Sequence, residues 1–128
     1  MSFRVYVQIP HDSVRPEIGS LEFDDWLEKE SLYCVFDEPI AGDNEYFSSW
    51  HQPSLQLNCK LLSQVYQVGF KLSSLEDLKQ LEIELQTLVT YWQTDSKSGN
   101  LIRLLERASH LAEGIKTARE LNAILLIS

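Results

Sequence analysis

Between residues 75 and 92 apolar side chains recur every three or four residues, which is the period of an amphipathic α-helix. The members of this stripe are Leu75, Leu78, Leu81, Leu85, Leu88 and Trp92. A capping box precedes the stripe, since Glu76 follows Ser73 by three residues, and predicts where the helix begins. A second stripe from Leu101 to Ile115 predicts another helix, which Gly114 is expected to kink or break. Two such helices need an apolar surface to cover them.

Alternation of apolar and polar residues, which is typical of half-buried strands, occurs in several other segments. Strands are predicted over residues 3–9, 32–36, 55–61, 66–72 and 123–127. The third and fourth are expected to form an antiparallel hairpin that turns near Ser63, with one long bulged strand as the alternative. Ser20 predicts the start of a helix over residues 21–30, and Asn122 is a candidate left-handed C-cap.

These elements follow one another as strand, helix, strand, hairpin, helix, helix, strand. Such an order predicts an α+β fold, in which helices pack on one face of a mainly antiparallel sheet of about five strands. The 128 residues, of which 44% are hydrophobic, predict a single globular domain over residues 1–128.

Negative charge is concentrated in residues 16–59, which hold ten of the 19 carboxylates but one of the 11 lysines and arginines. Seven aromatic residues lie in the same segment. A net charge of −8 predicts that the chain does not bind nucleic acid, because that binding depends on cationic side chains. The apolar runs are too short to span a bilayer and no signal peptide is evident, so no membrane association and a cytoplasmic location are expected.

No local pattern indicates chemistry. Cys34 and Cys59 fit no C-x-x-C spacing and are predicted to be buried free thiols. The histidines, His11, His51 and His110, lack the spacing of a zinc site and have no nucleophile motif beside them. The sequence therefore predicts no catalytic residue, no metal site and no cofactor.

Residues 37–53 show neither the helical nor the strand period of apolar residues and contain the turn signal Gly42-Asp43-Asn44. They are therefore predicted to form a loop. A short helical turn over residues 44–51 is the alternative, since Tyr46 and Trp50 are four residues apart. A loop of this length is uncommon unless it is functional or disordered, and part of its aromatic area is expected beside the carboxylates at the surface. The candidate partner-binding residues are Asp37, Glu38, Asp43, Glu45, Tyr46, Phe47, Trp50 and His51.

The leading functional hypothesis is a non-enzymatic, acidic protein-binding module. Its carboxylates would attract a basic partner protein and its aromatic residues would then be buried as anchors, as in an inhibitor or immunity-type protein. Two alternatives are a small enzyme or ligand-binding domain with a pocket near His51, and a self-associating structural subunit. The remaining acidic residues, from Glu17 to Glu30, are assigned to the polar face of an ordinary amphipathic helix.

Overall fold

The computed structural model describes residues 2–10, 15–68, 70–95 and 100–128, apart from the side chains of Ser31, Gln67 and Val68. His11 therefore lies outside the described residues.

Four strands form one antiparallel sheet in the order β2-β1-β4-β3. They are β1 (Ser2–Gln8), β2 (Cys34–Gly42), β3 (Phe70–Leu72) and β4 (Ile124–Ile127). The two-residue period of β1 turns Val5 and Val7 to the buried face. The predicted α+β class is confirmed, with four described strands instead of about five.

The described helices contribute most of the core. They are α1 (Leu21–Leu32), α2 (residues 43–56), α3 (Lys60–Val68), α4 (Leu75–Thr94) and α5 (Leu101–Leu121). Helix α2 is continuous and consists of an α-helical stretch Asp43–Glu45, a π-helical stretch Tyr46–His51 and a second α-helical stretch Gln52–Gln56. Helices α4 and α5 pack against each other, and α5 also crosses β1, β2 and β4. The stripe of α5 is thus covered by α4 and the sheet, and the stripe of α4 is covered by α5, α2 and α3, apart from Leu75, which is exposed.

The predicted hairpin over residues 55–61 and 66–72 is wrong. Most of that segment is helical, and Phe70–Leu72 is the part that forms a strand. The buried residues Cys59, Leu62 and Val65 are spaced by three, so helical burial outweighs the local alternation of leucines. Asn58, with a φ of 59°, makes the left-handed turn between α2 and α3.

Two helix boundaries were close to the prediction. Ser74, one residue after the predicted cap, accepts a hydrogen bond from the Asp77 backbone N–H at 3.1 Å and begins α4. Asn122 ends α5 in the left-handed conformation, as predicted.

Gly114 does not break α5, which runs through it to Leu121. A Cβ at this position would lie 3.0 Å from Val5 Cγ2 and 3.4 Å from Phe36 Cε1. The glycine therefore permits a close approach of α5 to the two adjacent strands, instead of marking a kink.

Candidate functional site

The predicted loop over residues 37–53 is an ordered strand followed by a helix, so the loop prediction is wrong and the alternative helical turn is the better description. Asp37 lies in β2 and is ion-paired with Arg4 at 2.8 Å. Glu45 lies in α2 and is ion-paired with Arg103 at 3.1 Å. Intramolecular partners therefore already engage two of the four carboxylates proposed to steer a partner.

The other two carboxylates lie on either side of the junction between β2 and α2. Glu38 is half-buried and stands opposite Val5 in the strand pairing, which places it on the helix-facing side of the sheet. Asp43 is exposed in the first turn of α2, where a negative charge interacts favourably with the helix dipole.

Tyr46 and Trp50 are fully buried, and His51 is 7% exposed. Phe47 is the exposed member of the four, so the aromatic area expected at the surface is limited to this one side chain. Trp50 stacks on Tyr46 with ring centroids 5.5 Å apart and meets Trp92 edge-on at 5.0 Å. In this conformation Tyr46 and Trp50 form core contacts and are not accessible to a partner.

Pro53 explains part of this packing. A proline inside a helix has no N–H to donate to the carbonyl four residues earlier, which here belongs to Ser49. Trp92 Nε1–H donates to that Ser49 carbonyl at 2.7 Å. Helix α4 thus satisfies a backbone group in α2 and ties the π-helical stretch to the core.

A buried carboxylate lies beneath the same cluster. Glu84 of α4 is 3% exposed, and its Oε1 accepts hydrogen bonds from the backbone N–H groups of Leu61 and Leu62 at 2.9 and 3.1 Å. Gln80 donates to Oε2 of Glu84 at 3.1 Å. An acidic side chain from one helix therefore caps the N-terminus of another, where backbone N–H groups have no helical partner.

This environment disfavours the reactive thiolate form of Cys59. Burial, reinforced by Glu84, raises the pKa of Cys59 from its ordinary value of 9.0 to about 11. Burial also raises the pKa of Tyr46 well above its ordinary value of 10.0. The thiol donates a weak hydrogen bond to the Glu84 carbonyl at 3.8 Å. Cys34 is exposed, so the prediction of a buried thiol is correct for Cys59 and wrong for Cys34.

These raised pKa values predict a loss of stability at alkaline pH. The folded state keeps the Cys59 proton up to about pH 11, whereas the unfolded chain releases it near pH 9, so the contribution is complete below pH 9 and is lost as pH rises towards 11. Urea unfolding between pH 8 and 10.5 should show this slope, and Cys59→Ala should flatten it. Cys34→Ala is the control and should keep the wild-type slope; an equal slope in all three proteins would contradict the argument.

The geometry brings no acid–base pair to His51. Its Nδ1 is buried without a hydrogen-bond partner among the described residues, and no hydrogen bond or ion pair joins it to Asp43 or Glu45. Two cavities of about 690 and 430 Å³ lie instead along α4 and α5 and share Leu85, Gln86 and Ala112. Within the described part of the chain, no group of three His, Cys, Asp or Glu side chains could hold a metal ion.

A different part of the chain carries most of the exposed apolar side chains. Residues 9–35, about a fifth of the chain, contain seven of the 13 large hydrophobic residues that are exposed among the described residues. We call these seven side chains, together with the six described carboxylates of the same segment, the acidic apolar surface. Its apolar members are Ile9, Ile18, Leu21, Leu27, Leu32, Tyr33 and Val35, and its acidic members are Glu17, Glu22, Asp24, Asp25, Glu28 and Glu30.

Helix α1 forms the middle of this surface and is loosely covered by the rest of the fold. None of its described side chains is fully buried; Phe23, Trp26 and Glu30 are half-buried on one side. Ser20 caps the helix as predicted, since its Oγ accepts a hydrogen bond from the Phe23 backbone N–H at 3.2 Å. Gln8 Nε2 donates to Glu30 at 2.9 Å and ties α1 to the sheet.

Sequence reasoning had assigned α1 to an ordinary surface helix. The available signal was the position of Leu21 and Leu32, which fall on the same side of the helix as Asp25 and Glu28 instead of with Phe23. Leucines on the polar side of a helix are not explained by packing on its own sheet.

No protein-family model, curated protein or solved structure matches the chain at a significant level. Among the helices of the described residues, none has the length and apolar character that crossing a bilayer requires.

Proposed function

We propose that this protein is a non-enzymatic binding module that engages a basic partner protein through the acidic apolar surface. The sequence predicted partner binding by residues 37–53, whereas this proposal assigns it to α1 and the segments that flank it. An inhibitor or immunity-type protein directed against a basic toxin is one form of this function.

The coincidence of exposed apolar area and negative charge in residues 9–35 carries the proposal. Exposed apolar area that is rimmed by polar residues marks interaction sites, and we propose that these side chains form such an area. Burial of the leucines would supply affinity, while the surrounding carboxylates would favour a cationic partner and accelerate its approach.

The charge of the surface favours a basic partner over a second copy of the chain. Helix α1 contains five carboxylates and one lysine, Lys29. Two copies meeting at α1 would bring like charges together, which disfavours association. Asp37, Glu38 and Asp43 extend the negative potential beyond α1, although Arg4 offsets the first of them.

We expect neutralisation of α1 to slow association. The variant with Asp24→Asn, Asp25→Asn and Glu28→Gln removes three negative charges from the surface. A protein that is captured by the wild type but not by this variant is taken as the partner. Its association rate constant with each form of the protein is then measured by stopped flow. The rate constant should fall about 10-fold at low salt, and the difference should shrink as salt screens the charges.

The matched control removes the same net charge from α5 by Glu106→Gln, Glu113→Gln and Glu120→Gln. These side chains are exposed and lie outside the acidic apolar surface. An equal loss of rate in both variants would show that total charge, and not α1, attracts the partner. Capture that is unchanged in the α1 variant would overturn the proposed function.

A further inference from the structure

One side of α1 carries an unusual row of residues. Leu21, Asp25, Glu28 and Leu32 are separated by four, three and four residues, so they lie in line along the helix. Leu21 is 89% exposed and Leu32 is 76% exposed. We call these four residues the α1 row.

The α1 row faces away from the protein's own core. The half-buried residues of α1, Phe23, Trp26 and Glu30, occupy the opposite side, where Glu30 accepts the hydrogen bond from Gln8. No residue of the α1 row is even half-buried. Packing within the described chain therefore does not explain the two leucines.

Strand addition at the neighbouring sheet edge is disfavoured. β2 is the edge strand, but Pro39 has no N–H to donate and its carbonyl is hydrogen-bonded to His110 at 2.7 Å. The pairing of β2 with β1 is irregular near both ends, and Glu38 places a carboxylate on the helix-facing side. Prolines, irregular pairing and inward charges are the features by which edge strands resist further pairing.

The spacing of the α1 row matches the seam of a helix-to-helix contact, in which successive contact residues are three and four apart. At 1.5 Å per residue the two leucines are about 16 Å apart, or three turns. The acidic residues between them select positive charge in a partner. Asp25 pairs with Lys29 at 3.1 Å, but both side chains are mostly exposed, and such surface pairs are weak enough to rearrange.

We propose that the partner element bound by α1 is a basic amphipathic helix that packs along the α1 row. It would place apolar residues against Leu21 and Leu32 and lysine or arginine against Asp25 and Glu28. This inference rests on the proposed function and specifies the kind of partner segment that the surface takes.

Two synthetic peptides of about five helical turns test the inference with the full-length protein. In the matched peptide, two leucines flank two lysines at the same spacing of four, three and four residues. In the isomeric peptide, of identical composition and charge, the leucines and lysines exchange places. At about 150 mM salt the matched peptide should bind at least ~10-fold more tightly, and it should shift the amide resonances of α1.

The second part of the test exchanges the charges of α1 and of the peptide. Asp25→Lys with Glu28→Lys should weaken binding of the matched peptide by at least ~10-fold, and a peptide with glutamates in place of its lysines should recover it. Equal affinity of the matched and isomeric peptides, or resonance shifts confined to β2, would overturn the inference. Failure of the glutamate peptide to recover binding would do the same.

Failure of this inference is distinguishable from failure of the proposed function. Leu21→Ser with Leu32→Ser should reduce binding of the captured partner, while the exposed positions leave thermal unfolding unchanged. If neutralised carboxylates weaken capture but these serines do not, the proposed function stands and the helix-to-helix contact is wrong. If neutralisation has no effect, the proposed function itself is wrong.

Discussion

Replacing Trp50 with alanine is expected to cost about 3–5 kcal/mol of the free energy of unfolding, because it leaves a cavity where an indole was fully buried. A domain of this size has a total stability of about 5–15 kcal/mol, so the variant should unfold at much lower urea concentration or fail to fold. Urea unfolding followed by circular dichroism measures the change. A partner-binding anchor at the surface would give the opposite result, near-normal stability with impaired binding.

A matched pair of conservative substitutions tests the contacts themselves. Trp50→Phe and Trp92→Phe remove the same atoms from two buried side chains, but only Trp92 loses a hydrogen bond, the one to the Ser49 carbonyl. Trp50 Nε1 has no partner among the described residues, so its removal relieves an unsatisfied group. Trp92→Phe should therefore cost about 1 kcal/mol more than Trp50→Phe. The reverse order would contradict the described orientation of the two indoles.

The second large effect is expected at Glu84. Substitution by alanine leaves the backbone N–H groups of Leu61 and Leu62 without their acceptor, one of them in the core. The expected cost is about 3 kcal/mol, because hydrogen bonds to a charged group are stronger than neutral ones and buried donors are costly to leave unpaired. Glu84→Gln keeps a carbonyl acceptor and should cost about 1 kcal/mol.

Glu82, two residues earlier on α4, is the matched control. It is ion-paired with Arg119 at 2.8 Å, but both side chains are partly exposed. Glu82→Ala should change the free energy of unfolding by less than about 1 kcal/mol. Similar costs at Glu82 and Glu84 would show that the buried cap does not contribute as described.

The fold class and the two long helices followed from the sequence because their signals are local. The stripe beginning at Leu75 and the left-handed cap at Asn122 depend on residues a few positions apart. The helix over Lys60–Val68 was missed because leucine alternation nearby imitated a strand, while the spacing of Cys59, Leu62 and Val65 was helical. Tertiary burial decided between the two patterns.

The candidate site was harder to predict, because three of the four aromatic residues proposed to bind a partner are buried and the proposed surface therefore lies on α1. The π-helical stretch and Pro53 interrupt the normal period of α2, which concealed the burial of Tyr46 and Trp50. Helix α1 has a regular N-cap and many polar residues, and the position of Leu21 and Leu32 on its polar side was the available sign that its own sheet leaves it largely uncovered. Burial of Glu84 was recognisable in principle, because residue 84 lies three positions after Leu81 on the core-facing side. The backbone N–H groups that it binds, by contrast, belong to another helix.

Hydrogen exchange of the protein, free and bound to the captured basic partner, tests the central claim most directly. If the acidic apolar surface forms the interface, partner binding should slow exchange of the backbone amides in residues 21–32, which have few buried contacts in the free protein. Exchange in residues 43–56, already packed into the core, should remain unchanged. Slower exchange in residues 43–56 without any change in α1 would contradict the account and would indicate that residues 43–56 bind the partner.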